Sequence, residues 1–141
     1  MEILDILILG SGPAALCLAS ELAKQNLNIK GISTKSPYEK WENTYGIWAS
    51  ELEEFGLASL LSHRWSKTVS YFGDGIKDKG NSPTKHYYDY GLINQEAFQN
   101  ELLKTCKGIQ WLNETAKLIT SENKISEVIC SSGLKLKARL V

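Results

Sequence analysis

Three cysteines, three prolines, two histidines and a net charge of zero set the first limits on this 141-residue sequence. Cys17, Cys106 and Cys130 lie far apart and form no C-x-x-C pair. That pattern argues against a disulfide framework or a zinc site and suits a reducing compartment, with each thiol read as a small buried apolar residue. His63 and His86 are isolated, so no metal ligand and no catalytic base is assigned; each is expected at the surface or in a simple hydrogen bond. Sixteen Lys and Arg balance sixteen Asp and Glu. The chain therefore lacks a broad basic face, which argues against nucleic acid as a partner. No apolar run approaches the roughly 18 residues of a membrane span. Met1-Glu2 leads directly into a strand pattern, without the basic and apolar stretch of a signal peptide. With few prolines and no low-complexity tract, disorder is not expected either. What remains is a globular, cytoplasmic protein, 43% hydrophobic and 23% charged.

The pattern that is present begins at once. Ile3 to Leu9 is a short, nearly continuous β-favouring run, too apolar for an edge strand. Gly10-Ser11-Gly12 ends it. Pro13 then opens a helical pattern with Leu16, Ala19, Leu22 and Ala23 on one face; proline suits the first turn, where an N–H would have no partner. Ile29 to Ser33 reads as a second buried strand. Residues 34–49 have no clear period and are expected to pack irregularly on the sheet edge. Ser50-Glu51-Leu52-Glu53 reads as a capping box that opens a short helix ending near Gly56, with another turn or two over residues 57–63. Glu51 and Glu53 are read as a solvated helix start rather than a catalytic pair.

Residues 67–72 alternate like a strand. Residues 73–85, with solvated charges at Lys77-Asp78-Lys79, are expected to form a mobile loop. Asn94 is placed to cap a helix reaching about Cys106, with Ala97, Phe98, Glu101 and Leu102 near one face. Residues 109–112 are expected as a third parallel strand, and residues 116–120, 126–131 and 135–141 as an antiparallel meander. The class is α/β: a doubly wound, parallel opening unit followed by the meander. The last strand runs out without a closing element, so the fold is expected to be incomplete at the C-terminus. Such a sheet is expected to leave an apolar face uncovered, with marginal stability unless another chain covers it.

Gly10-Ser11-Gly12-Pro13-Ala14-Ala15 is G-x-G-x-x-A in the place the motif requires, after a buried strand and opening a helix. Gly10 permits the tight turn. Gly12 has no side chain to keep a pyrophosphate from the backbone, and Ala15 lets the helix pack closely on the strand. Unpaired N–H groups and the positive end of the helix dipole then favour phosphates. An acidic residue is expected about 20 positions on, to take the ribose hydroxyls. Ser33 stands there instead, and a hydroxyl makes one such bond but not the charged bidentate one.

The variant Gly10-Ser11-Gly12-Pro13-Ala14 resembles the flavoprotein form of this turn. Trp41-Glu42-Asn43-Thr44-Tyr45-Gly46-Ile47-Trp48, then His63-Arg64-Trp65-Ser66, Val69-Ser70-Tyr71-Phe72-Gly73 and Asp89-Tyr90-Gly91-Leu92, follow in an order that resembles the lycopene cyclases of the plant and cyanobacterial type. The likeness runs from Asp5 to Val141, and the 65–73 stretch is nearer the cyanobacterial form. Departures are Ser33 for an acid, Tyr88 for the arginine of the family's Arg-x-Tyr-Gly block, and a length well short of the family's.

The resemblance implies a Rossmann-like FAD/NAD(P)-binding fold, with residues 1–141 as the N-terminal part of that domain and the substrate and catalytic regions elsewhere. It implies reduced FAD as cofactor, with NADPH as electron donor, and lycopene as the polyene substrate. Ionone rings would be closed by acid–base chemistry without net redox change. Gly10, Ser11, Gly12, Pro13, Ala14, Ala15 and Ser33 are the cofactor-binding candidates. Asn43, Tyr45 and Trp48 line either the flavin or the polyene, or serve packing alone. No catalytic residue is assigned, and these 141 residues alone are expected to be inactive. The resemblance further implies peripheral contact with a photosynthetic or cytoplasmic membrane in the whole protein. Two other readings stay open: another FAD-dependent oxidoreductase or hydroxylase, and a truncated remnant or flavin-binding module completed by a separate chain.

Overall fold

A computed structural model of the protein describes residues 2–71 and 83–141. The elements in chain order are β1 (Ile3–Leu9), α1 (Pro13–Leu22), β2 (Ile29–Ser33), β3 (Gly46–Trp48), α2 (Ala49–Glu54), a 3₁₀ turn (Ala58–Leu60), β4 (Leu61–Trp65) and β5 (Val69–Ser70). There follow β6 (Thr84–Lys85), β7 (Tyr90–Ile93), α3 (Gln95–Thr105), a second 3₁₀ turn (Cys106–Gly108), β8 (Gln110–Asn113), β9 (Ala116–Glu122), β10 (Ile125–Cys130) and β11 (Lys135–Leu140). The chain divides into two compact units, residues 1–41 with 99–141, and residues 42–98. Phe72 and residues 73–82 of the expected loop, with Lys77-Asp78-Lys79, fall outside the described residues; Thr84 and Lys85, expected in that loop, form β6 paired with β5.

The first unit is built on a six-stranded sheet in the order β8-β2-β1-β11-β10-β9. The strands β8, β2, β1 and β11 run parallel, and β10 and β9 continue the sheet antiparallel. Both the parallel opening and the meander were legible from the apolar runs. The chain leaves β1 into α1 and returns in β2 beside β1, with Leu9 opposite Ile32. This is the strand–turn–helix–strand unit of a Rossmann-like fold.

One face of this sheet packs under α1. Ile8 and Ile29 meet Ala19, Cys106 and Ile109, with Ala15, Leu22 and Trp111 around them. A second cluster is buried within the same sheet, while Ile3, Leu9, Leu118, Ile119 and Leu140 on its strands stay exposed. Leu4, Leu7 and Ile32 share a core with Val128, Cys130 and Ala138, flanked by Leu112, Ala116 and Leu136. Cys106 and Cys130 fill these two cores as small apolar residues, and Cys17 is half-buried.

The second unit carries β3, β7 and β4 as a small antiparallel sheet, and β5 pairs with β6. Two local expectations are corrected here. Residues 46–48 form a regular strand paired with β7, where an irregular segment on the main sheet edge was expected. The Ser50 capping box does not form: α2 begins at Ala49 with Trp48 at the cap and no side-chain cap bond. Ala49 N–H instead donates to Asp89 O at 2.8 Å, which ties the helix start to the residue before β7. The end near Gly56 holds, because φ is +69° there and glycine takes that angle without a Cβ penalty. Asn94 does cap α3, its Oδ1 accepting from Ala97 N–H at 3.1 Å.

Candidate functional site

Residues 10–15 occupy the end of β1 and the first turn of α1. Gly10 has φ +96°, a left-handed angle that favours glycine, and its N–H donates to Ile32 O at 2.8 Å. The backbone thereby turns sharply from one strand toward the helix while staying tied to the next strand. Gly12 is different. It caps α1 with an ordinary φ of −76°, and a Cβ built on it would meet nothing within 4 Å. Neither backbone strain nor crowding inside the protein accounts for glycine at this position. What the missing side chain provides is open space directly in front of the helix.

That space faces an uncapped helix end. No side chain caps α1, Pro13 stands at its first position, and its first turn holds no acidic residue. The N–H groups of Ala14 and Ala15 have no intrahelical acceptor, as in any first turn. The positive end of the dipole is thus left for an anion. Ala15 packs into the core beneath the turn, where a larger residue would lift the helix from the strand.

Ser33, at the end of β2, is brought to this turn. Its Oγ is 2.9 Å from Ser11 Oγ. Ser11 Oγ also donates to Lys35 O at 3.1 Å, and Lys35 N–H donates to Ser33 Oγ at 3.3 Å. A hydroxyl has one proton, so Ser33 directs its own at Ser11 and keeps one acceptor position for a further group. Trp41, buried with 8% exposure, donates its indole N–H to Ser11 O at 3.0 Å. The sequence reading noted Trp41 in the family-like block but gave it no task in the turn.

Beside Ser33 lies a hollow of about 290 Å³, lined by Ser33, Lys35, Pro37, Tyr38, Trp111 and Asn113 among others. It sits at the carboxyl ends of the parallel strands β2 and β8, where open α/β sheets bind their ligands. The indole N–H of Trp111 is buried without an acceptor. The turn, the hollow and the acceptor position on Ser33 fit the phosphates, ribose and base of an adenine dinucleotide. Of the residues lining the hollow, Ser33 alone is given a ligand role by the sequence, because loop residues such as Pro37 and Tyr38 carry no periodic signal.

Asn43, Tyr45 and Trp48 belong to the second unit. Asn43 is exposed, and Tyr45 and Trp48 are half-buried. Trp48 joins a group of rings: Tyr90 edge-on at 5.4 Å, His86 at 5.1 Å and Tyr88 at 6.3 Å between centroids. His86 is hydrogen-bonded to Ser70 Oγ at 2.7 Å, and His63 is exposed against the Trp65 ring at 4.4 Å. Arg64 bonds Asp89 and Glu53, each at 2.6 Å, and these bonds raise its pKa further above the ordinary arginine value. Glu53 is therefore an ion-pair partner and Glu51 is exposed. No Asp or Glu among the described residues is buried. Among the same residues no helix is long and apolar enough to cross a membrane.

The family model of the lycopene cyclase proteins matches residues 5–141. The chain is 43% identical over 139 residues to lycopene beta cyclase of Synechococcus elongatus, a match over 97% of this chain and 32% of that protein. It is 30% identical over 142 residues to the chloroplastic lycopene beta cyclase of Arabidopsis thaliana, a match over 99% of this chain and 27% of that protein. The chain thus spans about a third or less of the length of these curated relatives. Among solved structures, p-nitrophenol 4-monooxygenase PnpA from Pseudomonas putida superposes with a TM-score of 0.62 at 19% identity, over 99% of this chain and 40% of that one. A mutant of halogenase PltM in complex with FAD gives 0.64 at 15% identity, over 99% and 34%. At these identities the likeness is one of fold, the Rossmann-like FAD/NAD(P)-binding architecture.

Proposed function

This chain belongs to the lycopene cyclase protein family, and from that premise we propose that it holds the adenine-dinucleotide half of FAD for a cyclase that closes ionone rings on lycopene. Residues 1–141 act as part of one FAD/NAD(P)-binding domain. The observation that carries the reading is Gly12, a glycine required by neither its backbone angle nor its neighbours, standing before an uncapped helix end. Gly10 shapes the turn, and Gly12, Ala14 and Ala15 offer the pyrophosphate their backbone. Ser11 and Pro13 fix the turn's course. Ser33 accepts one bond from a ribose hydroxyl, and the hollow beside it takes the adenosine. The reduced flavin, with NADPH as electron source, supplies electrostatic stabilisation of positive charge developing on the polyene.

The cyclisation adds a proton to an end-group alkene, closes the ring through the resulting carbocation and releases a proton, so no electrons are transferred overall. A proton donor for that step needs a carboxyl kept neutral by burial. Every Asp and Glu described here is solvent-accessible, so the donor is sought outside these residues. The polyene resides in lipid, and the whole protein meets its membrane peripherally.

Equilibrium dialysis against FAD and FMN tests the reading. FAD is retained and FMN is not, because the turn and hollow grip the half that FMN lacks. Equal retention of both, or of neither, overturns it. In a lycopene-accumulating host these 141 residues alone leave the pigment uncyclised. Ring formation there overturns the placement of the proton donor.

A further inference from the structure

The loop after β2 walls the hollow, and beyond Lys35, whose carbonyl accepts from Ser11, the bonds between its own residues are local. Glu39 N–H donates to Ser36 O at 3.0 Å, and Tyr38 N–H to Ser36 Oγ at 3.3 Å. Pro37 brings no N–H at all. The long-range hold on residues 37–39 comes from Gln99 on α3. Its Nε2 donates one proton to Pro37 O and the other to Glu39 O, both at 2.8 Å, across 62 and 60 residues of chain. Gln99 is 5% exposed, and with Ser20 it makes up the buried polar residues among those described. A buried amide costs desolvation that an apolar residue of the same size avoids. What distinguishes Gln99 from such a residue is the pair of donors, and both are engaged on one loop.

The two carbonyls held by Gln99 lie on either side of Tyr38, which is 68% exposed and lines the hollow. We propose that Gln99 is a positioning residue for the adenosine end of the dinucleotide: it fixes the loop on both sides of Tyr38 and so presents the Ser36–Tyr38 wall to the ligand without touching it. The inference rests on the adenosine reading of the hollow given above. A flat aromatic ring held at one edge of the hollow offers a stacking face to a base, and stacking depends on the ring's being held in place.

The test uses Gln99→Met and Gln99→Glu, both close to glutamine in size and both without the two donor protons. Binding of ADP and of inorganic pyrophosphate is measured on each protein, together with amide hydrogen exchange and thermal unfolding. ADP affinity falls about tenfold, the loss expected for two neutral hydrogen bonds that order a binding wall. Pyrophosphate affinity stays within about twofold, because the residue 10–15 turn is unaltered. Exchange quickens in residues 35–40 while β1 and β2 stay protected. A general loss of stability would lower both affinities together. ADP binding that survives in either folded variant, or exchange in 35–40 that does not change, overturns the inference and leaves the adenosine reading intact. A wild-type protein that binds pyrophosphate but not ADP overturns both.

Discussion

Ser33 Oγ stands 2.9 Å from Ser11 Oγ, so the end of β2 is tied by a side-chain bond to the turn that opens α1. Ser11 directs its proton at Lys35 O, and the proton in the serine pair is therefore that of Ser33. The hydroxyl serves the loop first and retains one acceptor position. Ser33→Glu places a carboxylate there that accepts from both ribose hydroxyls. Charge-assisted bonds are roughly twice as strong as neutral ones, and FAD affinity is expected to rise about tenfold. Fluorescence titration checks this; unchanged or weaker binding would contradict the assignment of the ribose to Ser33.

Gly10 and Gly12 are expected to separate folding from binding. Gly10→Ala forces a Cβ onto a φ of +96°, at a cost of about 1–2 kcal/mol in stability. Gly12→Ala meets nothing within 4 Å at an ordinary angle, so its melting temperature stays level or rises slightly. Its methyl group occupies the space before the helix, and FAD binding falls. Thermal melts with matched titrations check the pair. A destabilised Gly12→Ala that still binds FAD would contradict it.

Much of this was legible in the sequence, and the physical reasons differ by element. β1 and β2 were readable because buried parallel strands are continuous apolar runs with glycine punctuation. The residue 10–15 turn was readable because each position answers a steric demand of strand, phosphate or helix. The meander showed through its turns, and Asn123 and Lys124 there do take φ of 50° and 64°. The Ser50 capping box misled, because Ala49 is anchored by Asp89, the residue before β7, a contact that local pattern does not encode. Trp41 and Gln99 hold the site through long-range bonds to carbonyls, and a carbonyl has no sequence signature.

Gly31 is held small by Trp111. The indole ring lies where a Cβ at position 31 would stand, on the paired register of β2 and β8. Gly31→Ala is expected to cost about 1–3 kcal/mol through overpacking. Adding Trp111→Leu recovers part of that loss, so the two changes are not additive. Denaturant melts of both single variants and the double variant check the coupling; additive losses would contradict it.

Burial pushes the Cys17, Cys106 and Cys130 thiols above the ordinary cysteine value. The thiolate is the reactive form, so alkylation at neutral pH is expected to be slower than for a free thiol, with half-buried Cys17 modified first. The folded chain also keeps these protons to higher pH than the unfolded chain. The resulting stability is complete below the ordinary thiol value and is lost as pH rises through the raised folded values. Mass spectrometry of timed alkylation checks the order, and fast modification of Cys130 in the folded protein would contradict it.

The most direct measurement is isothermal titration of FAD into the wild-type protein and into Gly12→Asp, with melts confirming that both are folded. One FAD bound per wild-type chain and none bound by Gly12→Asp, whose carboxylate stands where the pyrophosphate would lie, is the expected result. Absence of binding to the wild type, or equal binding to both, would contradict the assignment of the residue 10–15 turn to the dinucleotide.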